Sequence, residues 1–129
     1  MTAYAATEHG VYAIDVDEEE VLGLVDANVP EREFRAELPL VVAGDRAGAT
    51  LLAVVDRRPP LMVSYDAGRT WREAGHGLPP GYDVAISAEN PDQMLFAARN
   101  RLFLSTDGGR FWRALAPELP RIERVAWAD

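Results

Sequence analysis

All 13 basic residues of this 129-residue chain are arginine, and four of them stand in two close pairs, Arg57 with Arg58 and Arg99 with Arg101. A guanidinium presents a planar fork of N–H donors that fits a carboxylate or a phosphate bidentately, so the pairs are candidate anion-binding residues. Their competing use is in salt bridges to Asp56, Glu8 and neighbouring carboxylates. Other reactive chemistry is sparse. Cysteine is absent, which excludes disulfides, thiolate metal sites and thiol nucleophiles. The two histidines, His9 and His76, have no second imidazole nearby in sequence, and no Ser-His-Asp set emerges, so zinc and acyl-transfer chemistry are not expected. Asp15-Val16-Asp17 and the three glutamates after it lack the turn glycine and ligand spacing of a calcium loop and read as a solvated hairpin tip. Gly75-His76-Gly77-Leu78-Pro79-Pro80 begins like a dinucleotide fingerprint, but prolines occupy the place of the third glycine and the helix start. The expectation is no metal, no cofactor and no catalytic residue.

The elements that hold these residues show in a repeat. Ser64-Tyr65-Asp66-Ala67-Gly68-Arg69-Thr70-Trp71 returns as Ser105-Thr106-Asp107-Gly108-Gly109-Arg110-Phe111-Trp112 at the spacing of a propeller blade. Each copy follows an apolar strand, Leu61 to Val63 or Leu102 to Leu104, and precedes another, which places it on a hairpin. An Asp just past a strand end accepts backbone N–H groups of the turn, a Gly supplies positive φ, and the closing Trp returns to the apolar side.

The two octapeptides resemble the Asp box, S-x-D-x-G-x-T-W, of the bacterial-neuraminidase repeat found in sialidases, the sortilin ectodomain and photosystem II assembly factors. The first matches at every fixed position; the second has Phe111 in place of Thr. The resemblance implies that Ser64, Asp66, Gly68, Thr70 and Trp71, with Ser105, Asp107, Gly109 and Trp112, are folding residues, on the side of a propeller away from any ligand. It also implies a ligand face built from the loops ahead of each blade's third strand, which here carry Arg57, Arg58, Arg99 and Arg101.

Extended from the boxes, the register predicts an all-β chain of about three four-stranded blades in one domain spanning 1–129. The third blade, within 82–115, has strands at Tyr82 to Ser87, Met94 to Ala98, Leu102 to Ser105 and Phe111 to Leu115. The second, within 38–73, has Leu38 to Ala43, Thr50 to Val55, Leu61 to Ser64 and Thr70 to Glu73. The first, within 2–25, lacks its innermost strand, and the surplus strand lies at 122–128. Three blades are too few for a ring of roughly 4 to 8. The expectation is therefore a homodimer forming a six-bladed propeller, in which 122–128 of each chain completes the 2–25 blade of the other. A net charge of -8 argues against nucleic acid and anionic membrane surfaces. No apolar run is long enough to span a bilayer and no leader pattern opens the sequence, so a cytoplasmic location is expected. The functional expectation is a non-enzymatic binding or scaffold protein that holds a partner or small anion on its rim. The alternatives are a glycan-binding or glycoside-hydrolase-like protein and an assembly factor for a larger complex.

Overall fold

A computed structural model describes residues 1–128. They form twelve strands: β1 Thr2–Thr7, β2 Gly10–Asp15, β3 Glu20–Val25, β4 Val41–Ala47, β5 Thr50–Val55, β6 Leu61–Ser64, β7 Arg72–Ala74, β8 Asp83–Ile86, β9 Met94–Ala97, β10 Leu102–Ser105, β11 Arg113–Ala114 and β12 Ile122–Trp127. Among the described residues no helix is long and apolar enough to cross a membrane. The strands make three four-stranded antiparallel sheets of blade-like form: β12-β1-β2-β3, β4-β5-β6-β7 and β8-β9-β10-β11, here the first, second and third sheets.

The third sheet stands in the middle of an arc. Successive residues of a strand face opposite ways, so one apolar strand can serve two interfaces. Along β9, Met94 and Phe96 pack with Leu52, Val54, Leu61 and Val63 of the second sheet. Leu95 and Ala97 pack with Ala3, Ala5, Ile14, Val125 and Trp127 of the first. This double burial explains why β5 and β9 read as unbroken apolar runs instead of alternating. No strand of the first sheet touches a strand of the second, which leaves the arc open between them.

Strand starts depart from expectation by two residues or more at three strands. The first strand of the second sheet begins at Val41, not at Leu38, because Pro39 has no N–H to give a ladder and Leu40 turns the chain with φ 61°. The outer strands β7 and β11 start later than Thr70 and Phe111. The amides of those two residues are given to the Asp66 and Asp107 carboxylates instead of to a neighbouring strand.

Within the single chain, the closing strand comes from the chain's own end. Residues 122–127 do complete the first sheet, with Ala3 opposite Trp127 and Ala5 opposite Val125, but they pair with β1 of their own chain. Three sheets do bring the chain ends together. The enabling feature is the connection 26–40, fifteen residues long, against eight in 75–82 and seven in 115–121. At about 3.3 Å per residue it reaches roughly 50 Å, enough to return from the sheet at one end of the arc to the sheet at the other. It is well anchored. Val29 is buried, and its carbonyl accepts Arg124 Nε–H at 2.7 Å. Phe34 lies flat on Gly44, where any Cβ would stand 2.4 Å from the ring, and with Leu38 it covers Ala53, Val55 and Met62 on the outward face of the second sheet.

Candidate functional site

The two octapeptide turns are hydrogen-bonded alike. In the first, the Ser64 hydroxyl donates to Asp66 Oδ1 at 2.8 Å and accepts the Gly68 N–H at 2.8 Å, while Asp66 also accepts the Thr70 N–H at 2.9 Å and the Thr70 hydroxyl at 2.6 Å. In the second, Ser105 and Asp107 repeat the pattern with Gly109, Arg110 and Phe111 as donors. Each Trp closes its turn through the indole N–H, Trp71 to the Gly68 carbonyl and Trp112 to the Gly109 carbonyl. Gly68 and Gly109, at φ 89° and 94°, occupy the left-handed region that lets the chain reverse there.

The hydrogen bonds from Thr70, side chain first and then backbone, and from Ser64 lower the Asp66 carboxyl to about 2. Burial opposes ionisation of Asp107, yet the Phe111 amide, the Ser105 hydroxyl and the Arg110 amide together hold it below the usual range. A carboxyl depressed by folding stabilises the fold above its unfolded value and loses that contribution as pH falls. For Asp66 the window runs from about 3.8 down to about 2. Asp66→Ala and Asp107→Ala are each expected to lower the melting temperature at neutral pH. The deficit relative to the parent should shrink when both are scanned by calorimetry below pH 3. Wild-type stability in either variant would rule out a structural role for these carboxylates.

The four rim arginines have separate surroundings. Arg57 Nη2 lies 3.3 Å from the Met62 sulfur, and Arg58 lines a cleft of about 490 Å³ with His76 and Pro79. Arg101 pairs with Glu118 at 3.3 Å across an exposed contact, and Arg99 is exposed. Arg101 is thus drawn into an ion pair with a neighbouring carboxylate, Glu118.

A residue without any motif around it proves to be the most connected. Arg32, in the connection 26–40, reaches the point where all three sheets meet. Nη1 donates to the Val84 carbonyl at 2.8 Å and to both Asp83 oxygens at 3.2 and 3.3 Å, and Nη2 donates to the Val125 carbonyl at 2.6 Å. Nε lies 3.5 Å from Asp45. The carboxylates it touches are themselves ties between sheets, since Asp45 accepts the Ile86 N–H at 2.7 Å and Asp83 accepts the Val125 N–H at 2.9 Å. Burial raises the Asp83 carboxyl above its ordinary value, against the opposing pull of the Val125 amide and Arg32. Arg32, Asp83, Tyr82, Glu123 and Arg124 line a cleft of about 380 Å³ here, but both guanidinium groups are committed to protein carbonyls.

At the outer edge, neighbouring sheets are clipped together. Glu19 accepts Arg113 Nη1–H at 2.7 Å and the Ala116 N–H at 2.8 Å, joining the first sheet's turn to the third, and these bonds, the Ala116 amide foremost, hold its carboxyl below the usual range. Between the second and third sheets the Tyr65 hydroxyl donates to the Gly108 carbonyl at 2.6 Å, and the Arg110 guanidinium stacks on the Tyr65 ring at 5.3 Å. Beside that contact opens a cleft of about 630 Å³ whose lining includes Arg72, Gly75, Arg110, Phe111 and Trp112. Phe111 is 80% exposed. Among the described residues no group of three or more His, Asp or Glu side chains is placed to hold a metal ion. No known protein family matches the chain, and no curated protein matches it.

Proposed function

We propose that the chain is half of a β-propeller, closed into a six-bladed ring by a second copy, and that the ring serves as a non-enzymatic binding or scaffold protein. The observation that carries this reading is the open arc. The first and second sheets make no strand contact with each other, and β3, at the edge of the first, leaves Val21, Leu22, Leu24 and Val25 exposed, as Leu40 and Val42 are exposed at the start of the second. An unpaired apolar strand edge favours association, and a head-to-tail contact that closes gives a ring. Two arcs of three make six blades, within the range that packs around an axis.

In this ring each chain keeps its own closing strand. The best-placed carboxylates support a binding role over catalysis, because Asp45, Asp66, Asp83, Asp107 and Glu19 are all spent on bonds that hold turns and sheets together. The exposed arginines, Arg57, Arg58 and Arg99 among them, are left to meet an anion or an acidic partner on the rim. Light scattering at micromolar concentration tests the assembly. The expected mass is that of two chains, with Leu22→Glu and Leu24→Glu together returning the mass of one; a single-chain mass for the parent protein would refute the ring.

A further inference from the structure

The cleft between the second and third sheets repeats a carboxylate site that the chain fills for itself between the third and the first. In the filled site, Arg113 and the Ala116 N–H hold Glu19. One repeat earlier the same two places are Arg72 and Gly75, and both line the cleft. The facing side chain is different. Counting from the aligned strand residues Ile14 and Ser105, the place that Glu19 takes in the first sheet's turn is taken in the third sheet's turn by Arg110.

The cleft is therefore lined by two arginines where its counterpart sets arginine against glutamate. Arg72 forms no ion pair among the described residues, and Glu73, the one carboxylate in the lining, pairs with neither. Arg110 is held in place by its stack on Tyr65 and by an N–H given to the Asp107 carbonyl at 2.8 Å. Two guanidinium groups without an ion pair among the described residues concentrate positive charge in this cleft on a chain of net charge -8. The walls are aromatic. Trp112 and Tyr65 flank the cations, and Phe111 stands almost fully in solvent at the position where the first octapeptide has Thr70.

We propose that this cleft binds a carboxylate carried on an apolar or aromatic body, with Arg72 and the Gly75 N–H as donors to the carboxylate, Arg110 as the second cation and Phe111 against the apolar part. A charge-assisted pair supplies orientation and the exposed ring supplies area. The site lies within one chain, so it stands apart from ring closure. It goes beyond the rim reading by naming a ligand class and a place.

The probe is 3-phenylpropanoate, titrated into the 129-residue chain to about 10 mM, the range suited to so small a ligand. Amide and indole N–H resonances are followed, with uncharged 3-phenylpropanol as control. The expected result is a saturable shift of the Gly75 amide and the Trp112 indole with the acid and not with the alcohol, while the Trp127 indole stays in place. Arg72→Gln should weaken the acid about ten-fold or more, the loss of one charge-assisted hydrogen bond, with no change in melting temperature because Arg72 is exposed. Phe111→Thr should weaken it too, and gives an independent reading if Arg72→Gln proves unstable. Acetyl-Leu-Glu-Leu-amide in a parallel titration distinguishes a peptide side chain from a free small acid. Equal shifts with acid and alcohol, no saturable shift with either carboxylate, or unchanged affinity in both variants would overturn the proposal. Light scattering on the same samples keeps that failure separate from failure of the ring.

Discussion

A chain ending at Pro120 is expected to lose cooperative folding altogether. The truncation removes β12, and with it Ile122, Val125 and Trp127, which are all buried in the core between the first and third sheets. Burial of side chains this size contributes about 1.5–3 kcal/mol each. Three of them amount to the greater part of the 5–15 kcal/mol by which a typical domain is stable. The polar losses fall on the same seam. The Val125 N–H no longer reaches Asp83, the Trp127 indole no longer donates to the Ala85 carbonyl, and Arg32 loses the Val125 carbonyl as acceptor. The uncovered edge of β1 then presents Ala3, Tyr4 and Ala5 to solvent. Near-UV circular dichroism and urea titration check the outcome; a sigmoidal transition at the wild-type midpoint would show that the closing strand is dispensable. Trp127→Ala, a milder cut at the same place, should cost about 3–5 kcal/mol.

Arg32→Ala is expected to be the most damaging single substitution outside the apolar core, at about 3 kcal/mol. Removing one member of a buried ion pair strands the other, and Asp83, with a side chain only 9% exposed, is the one stranded. The figure sits at the low end of the range for such losses because Arg32 keeps 23% of its side-chain surface in water. Lysine should rescue little. An ammonium is a point charge and cannot serve two carbonyls and a carboxylate from one planar fork.

The pH dependence has a definite sign. Burial raises the folded pKa of Asp83, so the stability it contributes is greatest when protonated and is lost as pH rises through that value. Without Arg32 the rise is larger and the loss at neutral pH greater, and the gap between Arg32→Ala and the parent should therefore narrow on acidification. Urea midpoints at neutral pH and near pH 4 measure it, and a gap independent of pH would mean that Arg32 acts by packing alone.

Much of this architecture is legible without coordinates because it is local. The octapeptides carry their own hydrogen-bonding program within eight residues, so Ser64, Asp66 and Trp71 find one another whatever surrounds them. The doubly buried strands β5, β6, β9 and β10 advertise themselves as apolar runs, and the surplus strand at 122–127 is visible as a repeat out of place. Strand starts were less legible at Leu38, Thr70 and Phe111, where a proline or an aspartate carboxylate takes the backbone out of the ladder.

What tertiary structure alone decided is which copy of an interface each residue serves. Register shows that β12 belongs with β1, but the same register fits a strand from the same chain or another, and the pairing within one chain rests on the reach and anchoring of residues 26–40. Arg32 lies in that connection between two glutamates, with nothing around it to mark it. Its partners are 13 to 93 residues distant, and a contact of that kind has no periodicity to betray it. Arg72 and Arg113 are equivalent by repeat, yet Arg113 meets Glu19 and Arg72 shares its cleft with Arg110, since the neighbouring sheet that supplies the other wall is not specified by local sequence.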